Sequence, residues 1–208
     1  MIWVENFKSD DSYIEIKNVL NSSGEEVEMG VVLPPPHVMS LVNCQFKRKI
    51  VSIEGFFDDT RDSKTNKAIY PPDYYDIIPG DQYCGIRVFL TYTNELDGSK
   101  ENEEYIVQIS DWQNCCEVWG CFLSEDDLSR YIGAELLEIY FTDTSLNTEY
   151  VQKIASYKAR YDCHNVQFVN FKTNRGIFQF TVYNCHNGYY GHDVSLIHNG
   201  NEVYKTQI

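Results

Sequence analysis

Alternating hydrophobic and polar positions predict β-strands through most of the chain. The alternation is clearest in residues 177–197, where two runs flank the triplet His186-Asn187-Gly188. Asn-Gly tolerates the positive φ angles of a type I′ turn and is a strong hairpin signal. We therefore predict that residues 177–197 form one β-hairpin, and that a last strand follows over residues 202–206.

The first 33 residues show the same alternation around a short polar turn. Residues 12–20 and 25–33 flank Asn21-Ser22-Ser23-Gly24, and the run Pro34-Pro35-Pro36 comes directly afterwards. Proline has no N–H to donate to a sheet, so the prolines end this element. The pattern predicts an N-terminal β-hairpin appendage over residues 1–38. A two-stranded ribbon is marginal alone and must pack on something.

The main domain is predicted over residues 39–208. Strands are expected at 49–56, 84–93, 103–111, 136–142 and 166–172, with a short helix ahead of them at 38–44 and a long loop at 58–83. A compact helix is predicted over residues 123–133, where Ser124 and Asp127 resemble a capping box and Gly133 has the position of a left-handed C-cap. The fold class is therefore α+β and mostly antiparallel: a curved sheet of hairpins with one short capping helix.

Composition narrows the classes of partner. The 208 residues are 43% hydrophobic and 23% charged, which is typical of a globular protein, and the formal net charge is −14. Such a charge disfavours direct nucleic-acid binding and adhesion to anionic lipid. It favours a host protein with a basic surface as the partner, although a merely solubilising charge would look the same.

The sequence also predicts a compartment. The first residues lack the basic and apolar regions of a signal peptide, and no apolar run approaches the ~20 residues that span a bilayer. Seven cysteines at irregular spacing fit reduced thiols better than a disulfide framework. We expect a cytoplasmic protein without a membrane segment, in the host cytoplasm if a phage encodes it.

Three segments supply candidate binding residues. An acidic and aromatic loop spans residues 70–81, a Trp-Cys-Cys-Glu segment spans 112–117, and a possible rim spans 186–193. Tyrosine offers contact area at a low entropy cost, and prolines in the loop limit the entropy lost on binding. A solvated loop and a turn packed on a sheet would show the same residues. The candidates are Tyr70, Asp73, Tyr74, Tyr75, Asp76, Trp112, Cys115, Cys116, Glu117, Tyr189, Tyr190 and His192.

Catalytic and metal chemistry are less well supported. No cation adjoins Cys115-Cys116 to lower a thiol pKa, and the two-residue spacer of zinc sites is missing. Cys163-His164 and Cys185-His186 leave a tetrahedral Cys/His site conceivable, but buried structural cysteines are the commoner case. His192-Asp193 lacks a nucleophile, and no phosphate-binding or zincin motif is present. No catalytic residue, metal or cofactor is predicted.

Residues from about 41 to 197 resemble an uncharacterised domain family found mainly in phages and bacteria. The resemblance lies in Cys115-Cys116-Glu117, in Ile132-Gly133 and in Asn187-Gly188-Tyr189-Tyr190, together with the strands at 49–57 and 84–111. Asn114 departs from the pattern, since family members usually carry an acid there. The resemblance implies a phage or mobile-element setting and a fold, and it brings no activity with it.

Three functions follow as hypotheses, in this order. The first is a non-enzymatic interaction protein that binds and blocks a host protein, such as an anti-CRISPR-like inhibitor of a bacterial defence system. The second is a small-molecule binder, or a sponge for a signalling nucleotide, with a stacking pocket made by Trp112, Tyr189, Tyr190 and His192. The third is a Cys/His metal-binding protein.

Overall fold

The computed structural model describes residues 12–34, 40–56, 85–94, 97–109, 117–125, 127–156, 163–187 and 191–208, with only the backbone for 40–46 and 56. Within these ranges lie eleven strands, one α-helix and a 3-10 turn at Ser129–Tyr131. The elements are β1 (Tyr13–Leu20), β2 (Glu26–Leu33), β3 (Ser40–Phe56), β4 (Gly85–Thr93), β5 (Lys100–Ile109), β6 (Glu117–Leu123), β7 (Glu135–Thr142), α1 (Thr148–Ala155), β8 (Cys163–Thr173), β9 (Gly176–His186), β10 (Asp193–His198) and β11 (Asn201–Gln207).

The strands form one open, mostly antiparallel sheet. Nine of them follow the order β6-β9-β8-β7-β3-β4-β5-β10-β11, and every neighbouring pair in this path is antiparallel. The ribbon of β1 and β2 joins through a short parallel contact, in which Gly30 and Val31 lie beside Asn165 and Val166. The predicted fold class, mostly antiparallel β with one short helix, is confirmed.

The sheet curls until its two ends approach each other. Glu117, at the start of β6, contacts His192, which directly precedes β10. The rings of Phe141 in β7 and Tyr204 in β11 lie 4.9 Å apart between centroids. Aromatic side chains are the largest members of the buried core. The largest fully buried ones are Tyr131, Tyr183, Phe171, Phe178 and Phe180.

The ribbon of β1 and β2 has the predicted register. Tyr13 lies opposite Leu33 and Leu20 lies opposite Glu26, while the Asn21 side chain accepts hydrogen bonds from the N–H groups of Ser23 and Glu25 to close the turn. The ribbon packs through its inner strand, whose buried apolar residues are Val27, Met29, Val31, Val32 and Leu33. The division into domains at residue 38 stays a prediction, and residues 35–39 lie outside the described ranges.

The predicted hairpin over residues 177–197 is wrong. Its two strands exist as β9 and β10, but β9 pairs with β6 and β8, while β10 pairs with β5 and β11. Both sides of β9 are occupied, so no edge remains for β10. The Asn-Gly hairpin turn lies one strand later, at Asn199 (φ 48°) and Gly200 (φ 77°), and joins β10 to β11. A local turn signal does not determine which strand becomes the neighbour.

The predicted helix over residues 123–133 is also wrong. Ser124 exchanges bonds with Gln179 of β9, through both its N–H and its hydroxyl oxygen, so it does not cap a helix. Asp127 accepts from the N–H of Ser129, which favours a tight turn. Only the 3-10 turn forms, and Gly133 has the expected left-handed φ of +78°.

The helix and the first long strand also differ from the prediction. The α-helix is α1, in a region predicted as a connection with a possible helical turn, and the Asn147 side chain caps it by accepting from the N–H of Tyr150. No helix precedes the first strand of the main domain at residues 40–44, because β3 already begins at Ser40. Within the described ranges, no helix combines the length and the hydropathy needed to cross a membrane.

Candidate functional site

Glu117 and His192 are the two predicted binding residues that the structure describes, and they meet. The His192 Nε2 and Glu117 Oε2 atoms are 3.2 Å apart, and both residues are at most 1% exposed. They come from opposite ends of the strand order and from positions 75 residues apart (192 − 117). The other candidates lie outside the described ranges: Tyr70, Asp73, Tyr74, Tyr75, Asp76, Trp112, Cys115, Cys116, Tyr189 and Tyr190.

Strand register explains why a polar cluster forms there. Glu117 of β6 lies opposite His186 of β9, and Trp119 lies opposite Asn184 two positions along. Residues opposite each other on neighbouring strands project from the same face, and so do residues two apart. The His192 ring packs on this face, 4.6 Å from the Trp119 ring between centroids. We call Glu117, Trp119, Asn184, His186 and His192 the polar seam.

Backbone contacts fix His192 in the seam. His192 and Ile208 exchange two backbone hydrogen bonds of 2.9 and 3.0 Å, which continue the pairing of β10 with β11. The Asn184 amide donates to the Ile208 carbonyl oxygen at 3.1 Å. The seam therefore joins β6 and β9 to the end of the β10–β11 hairpin, and the imidazole of His192 is a packed group.

Burial weakens the acid–base capacity of the seam. Desolvation lowers the pKa of His186 below its ordinary value; the Glu117 carboxylate opposes this shift and His192 reinforces it. Burial likewise raises the pKa of the Cys185 thiol far above its ordinary value. Neutral forms are favoured at both positions, which suits packing better than acid–base or nucleophilic work.

The two Cys-His pairs of the sequence are split between the faces of the sheet. Cys163 lies opposite His186, whereas His164 lies opposite Cys185. Adjacent residues of a strand point to opposite faces, so each face receives one cysteine and one histidine. In the part of the chain that the structure describes, no three His, Cys, Asp or Glu residues are arranged to hold a metal ion.

A second polar cluster joins β3, β5 and β10, and no motif in the sequence indicates it. The Arg48 guanidinium donates two bonds to the buried carboxylate of Glu103. The His198 ring lies 3.9 Å from the same carboxylate, measured from Nε2 to Oε1, and stacks on Tyr105 at 4.4 Å between centroids. Burial lowers the pKa of His198, and Glu103 opposes that shift. The charges of Arg48 and Glu103 compensate each other, so we assign this cluster a structural role.

The exposed apolar residues are concentrated on β1. Of the eight large hydrophobic residues recorded as exposed in the described ranges, four lie on this strand: Tyr13, Ile14, Ile16 and Leu20. Within those ranges β1 pairs with β2 alone, at one end of the sheet. We call Ile14, Ile16, Asn18 and Leu20 the outer face of β1, because all four side chains are exposed. The alternation of this segment was visible in the sequence; the exposure of its isoleucines was not.

One shallow cavity lies elsewhere on the described surface. It has a volume of about 290 Å³ and is lined by Ile53, Gly55, Leu123, Leu128, Ser129 and Ile132. None of these lining residues has a charged side chain, so the cavity offers no charged group to orient a ligand. The predicted small-molecule pocket depended on Trp112, Tyr189, Tyr190 and His192. His192 is buried against Trp119, and the other three lie outside the described ranges.

Residues 94–196, just under half of the chain, match the family model of a domain of unknown function, DUF7448. The match begins after β4 and ends within β10, so it includes Glu117 and His192 and leaves out β1, β2, β3 and β4. No curated protein and no solved structure gave a match. The likeness to a domain family without a known activity is thus supported over a shorter range than the sequence resemblance predicted.

Proposed function

We propose that this protein is a non-enzymatic interaction protein that binds and blocks a host protein with a basic surface. The observation that carries the proposal is the outer face of β1, where Ile14 and Ile16 are 55% and 58% exposed at the end of the sheet. The biological setting belongs to the same proposal: a phage or mobile-element protein that inhibits a bacterial defence system, acting in the host cytoplasm.

Exposed isoleucines on an end strand favour binding. Natural proteins usually protect such strands with charges, prolines or bulges, because unpaired edges recruit other chains. Burying apolar surface contributes about 25 cal/mol per Å², so covering these side chains would stabilise a complex appreciably. Several exposed apolar side chains close together at a sheet end are typical of a binding surface.

The chemistry of the polar seam favours binding over catalysis. Glu117 and His192 are almost completely buried against each other, and burial lowers the pKa of His186, which favours its neutral form. A general base has to reach a substrate proton within hydrogen-bond distance. Groups packed between the ends of a sheet serve the fold instead.

Charge favours a basic partner. The formal net charge of −14 attracts a basic protein at long range and raises its association rate, an effect that salt weakens. Defence proteins that act on nucleic acid carry basic clefts for phosphate. An acidic protein seated over such a cleft would block access to it.

The test begins with a tagged protein, cross-linked in its bacterial host and purified at low salt. The captured partner is identified by mass spectrometry, purified and titrated against the wild type and an Ile14→Ser/Ile16→Ser variant. We expect the double variant to lower affinity at least about tenfold, since two central apolar contacts are lost.

Val51→Ser is the matched control, because Val51 is 52% exposed on β3, away from β1. We expect this variant to keep wild-type affinity. The partner should lose its own activity in the complex, and raising the salt should slow association. The proposal fails if no partner is captured at low salt, or if the captured partner keeps full activity when saturated.

A further inference from the structure

We propose that β1 binds its partner by strand addition. An extended segment of a basic protein would pair with the side of β1 that no described strand occupies, place apolar side chains on Ile14, Ile16 and Leu20, and place basic side chains near Glu26 and Glu28. The inference rests on the proposed function and specifies the partner's conformation and side-chain chemistry.

The hydrogen-bond pattern between β1 and β2 determines which backbone groups of β1 point away from β2. The Asn21 N–H donates to the Glu25 carbonyl at 2.9 Å, and Leu20 lies opposite Glu26 as the next pair. In an antiparallel pair, residues alternate between exchanging bonds with the partner strand and pointing their N–H and C=O groups away from it. Counting back from Asn21, the outward groups belong to Leu20, Asn18, Ile16 and Ile14.

Those four residues are the outer face of β1, so the outward backbone groups and the exposed side chains belong to the same residues. Outward N–H and C=O groups alternate at the spacing that an added strand needs, and the exposed apolar side chains supply contacts beside them. Within the described ranges no other strand pairs with this side of β1. Backbone pairing gives such complexes affinity, and side-chain pockets give them specificity.

Charge varies along the same surface. Ile16 lies opposite Gly30, whereas Asn18 and Leu20 lie opposite Glu28 and Glu26, both exposed. The surface is thus apolar towards Ile14 and acidic towards the turn. Residues opposite each other share a face, so the isoleucines and the glutamates lie on one face, and only every second residue of an added strand meets them. A segment whose residues on that face are apolar beside the isoleucines and basic beside the glutamates matches both halves.

Charge also selects a foreign strand over a second copy of this chain. Two copies would each bring a net charge of −14, which opposes their close approach. The one lysine of β1, Lys17, already bridges Glu15 and Asp143 at 2.7 and 2.6 Å. The ribbon therefore offers little positive charge to a copy of itself, and the occupant we assign is a basic segment.

The probe is a fluorescent ten-residue peptide, titrated into the intact protein, with threonine at the even positions, valine at the odd positions of its first half and lysine at those of its second half, together with its reversed sequence. An isomer whose lysines are moved to even positions, and so leave the valine face, tests the arrangement, and a peptide with glutamate in place of lysine tests the charge. We expect the first peptide, in one of its two sequence orders, to bind at least about tenfold more tightly than either. Hydrogen exchange should slow at the amides of Ile14, Ile16, Asn18 and Leu20.

Asn18→Pro tests the backbone directly. Proline removes one outward N–H from β1 and leaves the pairing with β2 intact, as an edge strand permits. We expect it to weaken peptide binding about tenfold, while Asn18→Thr, which keeps the N–H, stays within about twofold. Melting temperatures show whether the proline variant is folded. If it is not, hydrogen exchange decides in its place, and no slowing at the outward amides of β1 in the peptide-saturated protein would contradict strand addition.

Three outcomes would overturn the inference. Equal binding by folded Asn18→Pro and Asn18→Thr would mean that side chains, and not strand pairing, hold the partner. Equal binding of the two peptides that differ only in the positions of their lysines would mean that charge alone attracts them. A dimer in light scattering that Asn18→Pro dissolves would make a second copy the occupant. The first two outcomes leave the proposed function intact, whereas the third would remove the outer face of β1 as its supporting observation. The proposed function itself fails separately, if the host lysate yields no blocked partner.

Discussion

Polar residues usually face water and apolar residues are usually buried. The polar seam and the ribbon of β1 and β2 both depart from this distribution, in opposite ways. The seam holds a carboxylate and two imidazoles almost wholly out of water, while the ribbon exposes isoleucines to it. Buried charges persist only where partners compensate them, so the seam is constrained by folding. Exposed apolar side chains contribute little to folding, so their presence indicates binding.

The polar seam is therefore explained by folding, and the outer face of β1 by binding. From the sequence, Glu117 and His192 are binding candidates as members of two separate segments, and no residue of β1 is a candidate. The structure encloses both residues between the two ends of the sheet. What remains for an outside partner, among the described residues, is a strand whose sequence looked like an ordinary part of a hairpin.

Removing the carboxylate of Glu117 should have the largest effect on stability. Glu117→Ala leaves the buried His192 ring without its 3.2 Å partner, and we expect the free energy of unfolding to fall by about 3 kcal/mol in urea titrations. Glu149→Ala is the control, since Glu149 pairs with Lys153 on the surface of α1 and should cost less than about 1 kcal/mol. Equal losses in both variants would mean that the seam is not a folding element.

A side chain at Gly30 should disturb the ribbon next most strongly. A Cβ there would lie 2.5 Å from Asn165 Oδ1 and 2.9 Å from Ile14 Cγ2, so Gly30→Ala should cost about 1–2 kcal/mol and speed hydrogen exchange in β1 and β2. Asn165→Ala in the same chain should recover part of the loss. No change in exchange would show that the ribbon does not depend on this close contact with β8.

The pH dependence of stability should give the smallest effect. Because burial lowers the pKa of His186 below its ordinary 6.5, the unfolded chain takes up a proton at higher pH than the folded one. This part of the stability is complete above about pH 6.5 and is lost as the pH falls through the interval down to the folded-state pKa. His186→Gln should flatten the fall in urea midpoint between pH 7.5 and 5.5. An unchanged slope would contradict the assignment.

Strands were predictable and their neighbours were not. Alternation identified β1, β2, β4, β7 and β8 closely, because burial of one side of a strand leaves a period of two in the sequence. It did not identify β6, which begins at the Glu117 of the Cys-Cys-Glu motif. Pairing depends on contacts between distant residues, and for that reason the Asn-Gly signal at Asn187 was assigned to the wrong hairpin.

Individual residues of the candidate site could be predicted from the sequence, but the contact between them could not. Glu117 and His192 were both named from the sequence, but as members of separate motifs, since nothing local indicates that the sheet closes upon itself. Arg48, Glu103 and His198 come from three distant strands and carried no signal at all. On β1, periodicity separated the isoleucines from Glu15 and Lys17 but did not tell which side faces water.

The link between β2 and β8 has a consequence for synthesis of the chain. The side chain of Gln167 donates to the carbonyl of Val32, 135 residues earlier in the sequence. At about 5–20 residues per second, a ribosome needs roughly 7–27 s to make the intervening chain. For that time the apolar side of β2 has no β8 to cover it. The nascent N-terminal segment is thus a natural client for a ribosome-associated chaperone, and slow translation would lengthen its exposure.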